Sequence, residues 1–261
     1  MTIVRIGFFD SGIGGLTVLH QALRLLPNED YIFYADTLHV PYGEKPKEEV
    51  REYILNAVEF IANQGVKALV IACNTATSIA VEDLRKKYDF PILGIEPAVK
   101  PAVQISEENR KKVLVLATNL TLREEKFNNL VKSIDHHDIV ESLPLPGLVE
   151  FAENVEFRED KVVPYLNEKL SSLDLKQYGT IVLGCTHFPY FKNSLKKLFP
   201  EEVEIISGSI GTAENLRRIL QARNQMNDGT GDILFFKSGY KIEDEDTLSK
   251  YKNLLVMLNK V

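Results

Sequence analysis

Short runs of β-branched, aromatic and aliphatic residues alternate along the chain with longer segments whose apolar positions recur every three or four residues. The runs predict strands over residues 4–9, 31–35, 68–72, 91–94, 113–117, 139–142, 180–184 and 204–207, with a weaker one at 232–236. Most are continuously apolar, the pattern of strands covered by helices on both faces. Between them, Val50, Tyr53, Ile54, Ala57, Val58 and Ile61 mark one face of a helix over 50–62. Strand–helix alternation of this kind predicts an α/β fold of mainly parallel sheets flanked by helices.

The pattern also repeats. Ala68-Leu69-Val70-Ile71-Ala72-Cys73-Asn74-Thr75 is echoed by Thr180-Ile181-Val182-Leu183-Gly184-Cys185-Thr186-His187. Each has four apolar residues, one small residue, a cysteine, then polar residues able to start a helix. The first strand, ending at Asp10, has a fainter partner in 113–117, ending at Thr118. The offsets between these copies suit a half-length duplication. No Ser/Gly-rich or Pro-rich linker parts the halves, and the boundary is placed near 97–101, where Pro97 and Pro101 bracket Ala-Val-Lys. The expected division is 1–97 plus about 208–261 for the first domain and 98–207 for the second. The last stretch would cross back onto the first.

Composition narrows the function classes. At 261 residues the chain is longer than one core usually organises. Acidic residues outnumber basic ones by 37 to 31 with no Lys/Arg cluster, so a nucleic-acid surface is not expected. Met1 leads directly into Ile3-Val4-Arg5-Ile6 with no signal segment, and no apolar run approaches the roughly 20 residues that span a bilayer. A cytoplasmic protein without membrane partners is expected.

Only two cysteines occur, Cys73 and Cys185. A reducing cytosol disfavours a disulfide, and neither has the C-x-x-C neighbour of a structural zinc site. Inert buried thiols are the plain alternative. Both, however, sit at strand exits followed by Asn, Thr or His, and ligands gather at the carboxyl ends of strands in open α/β sheets. A cysteine just before a helix lies near free N–H groups that favour thiolate. That thiolate serves as a base or as a nucleophile, and His187 could assist Cys185 in either role. A nucleophile scheme leaves Cys73 unexplained, whereas two symmetric thiols fit removal of a proton from one face of a carbon and delivery to the other.

Asp10-Ser11-Gly12-Ile13-Gly14-Gly15-Leu16 is a glycine-rich strand-to-helix turn lacking dinucleotide and P-loop spacing. Its glycines would admit an anion, while Asp10 repels phosphate and suits an ammonium, together describing an amino acid. Asp10 as a helix cap is the alternative. Pro41-Tyr42-Gly43 is a ligand loop or simply a turn. Asn74, Thr75 and Thr186 are carboxylate donors or caps. Glu150 reads as a surface carboxylate by position. His20, His39, His136 and His137 read as solvated.

Together Asp10-Ser11-Gly12-Ile13-Gly14-Gly15-Leu16, Asp36 with Pro41-Tyr42-Gly43, Cys73-Asn74-Thr75-Ala76-Thr77 and Gly184-Cys185-Thr186-His187-Phe188-Pro189 resemble the glutamate racemases of the aspartate/glutamate racemase superfamily. The resemblance runs in order from residue 6 to about residue 220. It implies two pseudo-symmetric α/β domains, each a mainly parallel sheet flanked by helices, with the active site in the cleft between them, and no pyridoxal phosphate, metal or nucleotide. It also implies glutamate as substrate, a homodimer, and supply of D-glutamate for peptidoglycan synthesis. By position, Cys73 would abstract the α-proton of D-glutamate and Cys185 that of L-glutamate, each acting as acid in the other direction. Asp10 would assist Cys73, and His187 would assist Cys185. Asp36 and Glu150 match further acidic residues of the family's site. Asp10, Ser11, Pro41, Tyr42, Gly43, Asn74, Thr75, Thr118, Thr121, Thr186 and His187 would hold substrate. Three readings compete: an aspartate racemase of the same superfamily, a cysteine hydrolase using Cys185 and His187, and a two-domain amino-acid binding protein.

Overall fold

The nine expected strands all form, displaced by two residues or fewer at either end: β1 (Ile6–Asp10), β2 (Tyr31–Ala35), β3 (Ala68–Ile71), β4 (Ile92–Gly94), β5 (Lys112–Ala117), β6 (Val140–Pro144), β7 (Tyr178–Leu183), β8 (Glu204–Ser207) and β9 (Ile233–Lys237). The structure, a computed structural model, describes residues 4–261. A tenth strand, β10 (Tyr240–Lys241), follows a turn in which Ser238 and Gly239 both have positive φ. Two residues are too few to show a period, so no pattern announced it. The helices are α1 (Leu16–Leu25), α2 (Lys47–Asn63), α3 (Asn74–Lys87), α4 (Val99–Glu108), α5 (Asn119–Arg123), α6 (Glu125–Ile134), α7 (Pro146–Glu153), α8 (Glu159–Leu170), α9 (Lys192–Lys196), α10 (Ser209–Ala222) and α11 (Glu245–Met257).

Two sheets result. The first has the order β10-β9-β2-β1-β3-β4 and the second β6-β5-β7-β8. All pairings are parallel except β10 with β9. The sub-order β2-β1-β3-β4 matches β6-β5-β7-β8 strand for strand, so the repeat heard in the sequence is a repeat of topology. β3 and β7, which deliver the two cysteines, occupy equivalent places.

The C-terminal stretch adds β9 beside β2 in register Tyr31 with Ile233. α11 lays Tyr251 against Phe33 and Phe235, with ring centroids 6.1 and 5.4 Å apart. One apolar core runs without a break from Phe33 and Phe235 of the first half to Leu148 and Phe188 of the second. Among the described residues no helix is long and apolar enough to cross a membrane.

Candidate active site

In each sheet the chain reverses its direction of winding between the first strand and the third, β1/β3 and β5/β7. Such switch points open a crevice at the carboxyl ends of the strands. Asp10-Ser11 and Cys73-Asn74 leave the first crevice, Thr118 and Cys185-Thr186-His187 the second. Hydrogen bonds across the halves show that the crevices face each other. Thr186 Oγ1 donates to Asp10 Oδ2 at 3.0 Å, and Ile13 N–H donates to Glu153 Oε1 at 2.8 Å. Thr17 Oγ1 donates to the Thr186 carbonyl at 3.0 Å.

On the first side, Cys73 caps α3, its sulfur accepting from Ala76 N–H at 3.4 Å and lying 3.7 Å from the Ser11 hydroxyl. The helix start was expected to favour thiolate, and both contacts do pull that way. Burial and the nearby Asp10 charge outweigh them and push the Cys73 thiol up to about 12. Cys73 is therefore neutral in this state. Asp10 is fully buried, and its Oδ1 accepts from Gly12 N–H at 2.9 Å. Burial lifts its carboxyl to about 6, against the opposing pull of His187, Gly12 and Thr186.

The second side is built differently. Cys185 does not head an α-helix. The chain turns through a short 3-10 segment, Phe188–Phe191, with Pro189 in its first turn, before α9. Its electrostatic partner is a side chain: His187 Nδ1 lies 3.6 Å from Cys185 Sγ. His187 Nε2 in turn lies 2.6 Å from Glu153 Oε1. Burial opposes charging of His187, but Cys185 and Glu153 together raise it well above an ordinary histidine. An imidazolium beside a sulfur is the setting that stabilises a thiolate.

Glu153 was missed; the acidic residue named from this helix was Glu150, as a further acidic residue of the site. Glu150 is exposed on α7, whereas Glu153, three residues on, reaches the histidine. No sequence pattern separates the two, because residues three apart lie on the same side of a helix. His20 is another correction. It is buried, with Nε2 2.9 Å from Asn259 Oδ1.

The remaining residues frame the cleft. Asp36 accepts from Tyr42 OH at 2.6 Å and Ser238 Oγ at 3.0 Å, and lies 2.8 Å from His39 Nδ1. It thus braces the Pro41-Tyr42-Gly43 loop from beneath, with His39 stacked on Tyr53 rather than free in solvent. Pro41 is partly exposed, and Tyr42 is buried, its hydroxyl held neutral by burial and by Asp36. Gly43 backs onto Thr118, whose Cβ would lie 2.6 Å from any Cβ there. The hydroxyls of Thr75, Thr118 and Thr121 form a closed triangle of 3.0–3.1 Å edges across the two halves. Asn74 is 5% exposed, yet neither end of its amide has a partner among the described residues. Buried amides are normally paired, so these two ends are available to a ligand. Among the described residues no group of three or more His, Cys, Asp or Glu could hold a metal ion.

Two α/β halves, each bringing a thiol to a shared cleft, suit an enzyme that moves a proton at carbon. A cysteine hydrolase would need only the Cys185–His187 side. The chain belongs to the Asp/Glu/Hydantoin racemase family, whose model matches residues 17–214. It is 67% identical over 256 residues to glutamate racemase 2 of Bacillus subtilis, covering 98% of this chain and 97% of that protein. It is 57% identical to the glutamate racemase of Halothermothrix orenii, covering 97% and 99%. Among solved structures, it resembles glutamate racemase isoform RacE1 of Bacillus anthracis with a TM-score of 0.81 at 29% identity, covering 97% of this chain and 95% of that one.

Proposed function

We propose that this chain interconverts L- and D-glutamate by proton transfer between two thiols, with no electron sink beyond the protein. The reading rests on one observation above others: the equivalent exits of β3 and β7 each carry a cysteine, one beside Ser11 and one beside His187. In the L-to-D direction Cys185, as thiolate paired with His187, takes the α-proton. Cys73, neutral, gives its own proton to the opposite face. The enzyme is left with Cys73 as thiolate and Cys185 as thiol, which is the state that accepts D-glutamate.

The α-proton of an amino acid is far less acidic than a thiol, so the carbanion must be stabilised by placed donors in a site closed to water. The free amide of Asn74 and the N–H groups opening α3 are such donors. Asp10 assists on the Cys73 side. Ser11, Pro41, Tyr42, Gly43, Thr75, Thr118, Thr121 and Thr186 line the substrate, and Asp36 holds the Tyr42 loop. In the same reading the halves 1–97 with about 208–261, and 98–207, part to admit glutamate. The protein works as a cytoplasmic homodimer supplying D-glutamate to peptidoglycan synthesis, and sedimentation at assay concentration checks the dimer.

Incubation in D2O tests the chemistry. Each enantiomer should gain α-deuterium chiefly as its antipode, and Cys73→Ala or Cys185→Ala should abolish racemisation. An unaltered rate in either variant sinks the two-thiol mechanism. A panel of amino acids followed by optical rotation separates glutamate from aspartate.

A further inference from the structure

The glycines of the first turn carry a role that racemisation by itself does not assign. Gly12 has φ −163°, which is extended, so no left-handed backbone calls for glycine. Its N–H is already spent on Asp10 and that of Ile13 on Glu153, which leaves neither free to cradle a substrate anion. What Gly12 provides is room. A Cβ there would overlap Oε1 of Glu153, a residue of the other half, and a Cβ on Gly14 would stand 2.5 Å from His187 Nδ1 and 2.6 Å from Thr186 Oγ1. The same Glu153 oxygen bonds Ile13 N–H and His187 Nε2, and His187 bonds Cys185.

We infer that Gly12 and the Ile13 N–H form a port in the first half of the molecule that seats Glu153 on His187, so the proton partner of Cys185 is complete only when the two halves are closed. Glu153 and Gly12 are positioning residues that act through His187. The inference rests on the racemase reading and extends it. Opening the cleft withdraws Ile13 from Glu153 and frees the carboxylate to swing into water. Closing it restores both contacts as substrate is enclosed, which joins base activation to exclusion of solvent.

A double-mutant cycle decides the matter. Gly12→Ala should fold, because the atom it displaces is the end of a flexible side chain, and matched circular dichroism and melting check this. It should lower kcat by at least about tenfold, as loss of general acid–base assistance does. In a Glu153→Ala background, where the room is already empty, the same Gly12→Ala change should cost less than about twofold. Because the equilibrium constant of a racemisation is one, kcat/KM is equal in the two directions and cannot report which thiol is impaired. Isotope effects can. In Gly12→Ala the deuterium effect on kcat/KM should rise for α-deuterated L-glutamate, whose proton Cys185 takes, and fall for the D-enantiomer. Glu153→Ala alone should show the same split, whatever the yield of the glycine variant. Additive losses, or isotope effects that move together, overturn the port while leaving the racemase reading intact. No racemisation by the unmodified chain overturns both.

Discussion

Asp10 sits in full burial with a pKa lifted from 3.8 to about 6, and that shift has a definite sign for stability. The folded state holds its proton more tightly than the unfolded chain does. The stabilisation is complete below 3.8 and is lost as pH rises through about 6. Asp10→Asn, which does not titrate, should therefore gain on the unmodified protein between pH 4 and pH 7, by up to about 3 kcal/mol, read from urea midpoints. A gain in the opposite direction would show that the carboxylate is better solvated than its burial implies. Asp10 and both cysteines were legible in the sequence because each ends an apolar run, and a strand exit is a local feature. Glu153 was not, because Glu150 and Glu153 stand on one exposed-to-buried shoulder of α7. Only the docking of that helix against the first turn selects between them.

At the scale of elements, the two echoing motifs fold differently. Cys73-Asn74-Thr75 opens a helix of 14 residues, while Cys185-Thr186-His187 opens a 3-10 turn into a helix of 5. The duplication therefore conserves where each thiol emerges but not how its charge is managed, by backbone on one side and by a histidine on the other. Two anchors hold the sheet that presents Cys73. Lys67, just before β3, bonds buried Glu29 at 2.5 Å and the Gln225 carbonyl, tying β2, β3 and the stretch before β9. Lys67→Met should strand the Glu29 charge and cost about 3–5 kcal/mol in denaturant unfolding. Tyr251 on α11 fills the space against Phe33 and Phe235, and Tyr251→Ala should cost about 3–5 kcal/mol by the same measurement. The strands and longer helices were readable from period and apolar content. The two-residue β10 and the 3-10 entry after Cys185 were not, since neither is long enough to repeat a pattern.

Across the whole molecule the two halves are latched at the cleft mouth. Lys47 Nζ bonds Glu124 at 2.7 Å, Asn119 bonds Glu44 at 2.9 Å, and the threonine triangle lies beneath them. Lys47 is half exposed, so the pair is screened by salt and contributes modestly. Glu124→Gln should raise the KM for glutamate severalfold and flatten its dependence on ionic strength, measured from initial rates across a salt series. The amino-acid sequence by itself determined the α/β class, the repeat, the strand exits and the identity of the two thiols, because these follow from period and from residue type within one short window. Tertiary structure alone decided that burial leaves Cys73 neutral, that Glu153 rather than Glu150 serves His187, and that the glycine turn makes room for a side chain from the other half. Each of those depends on groups brought together from distant parts of the chain. Desolvation and through-space contact have no signature along a sequence.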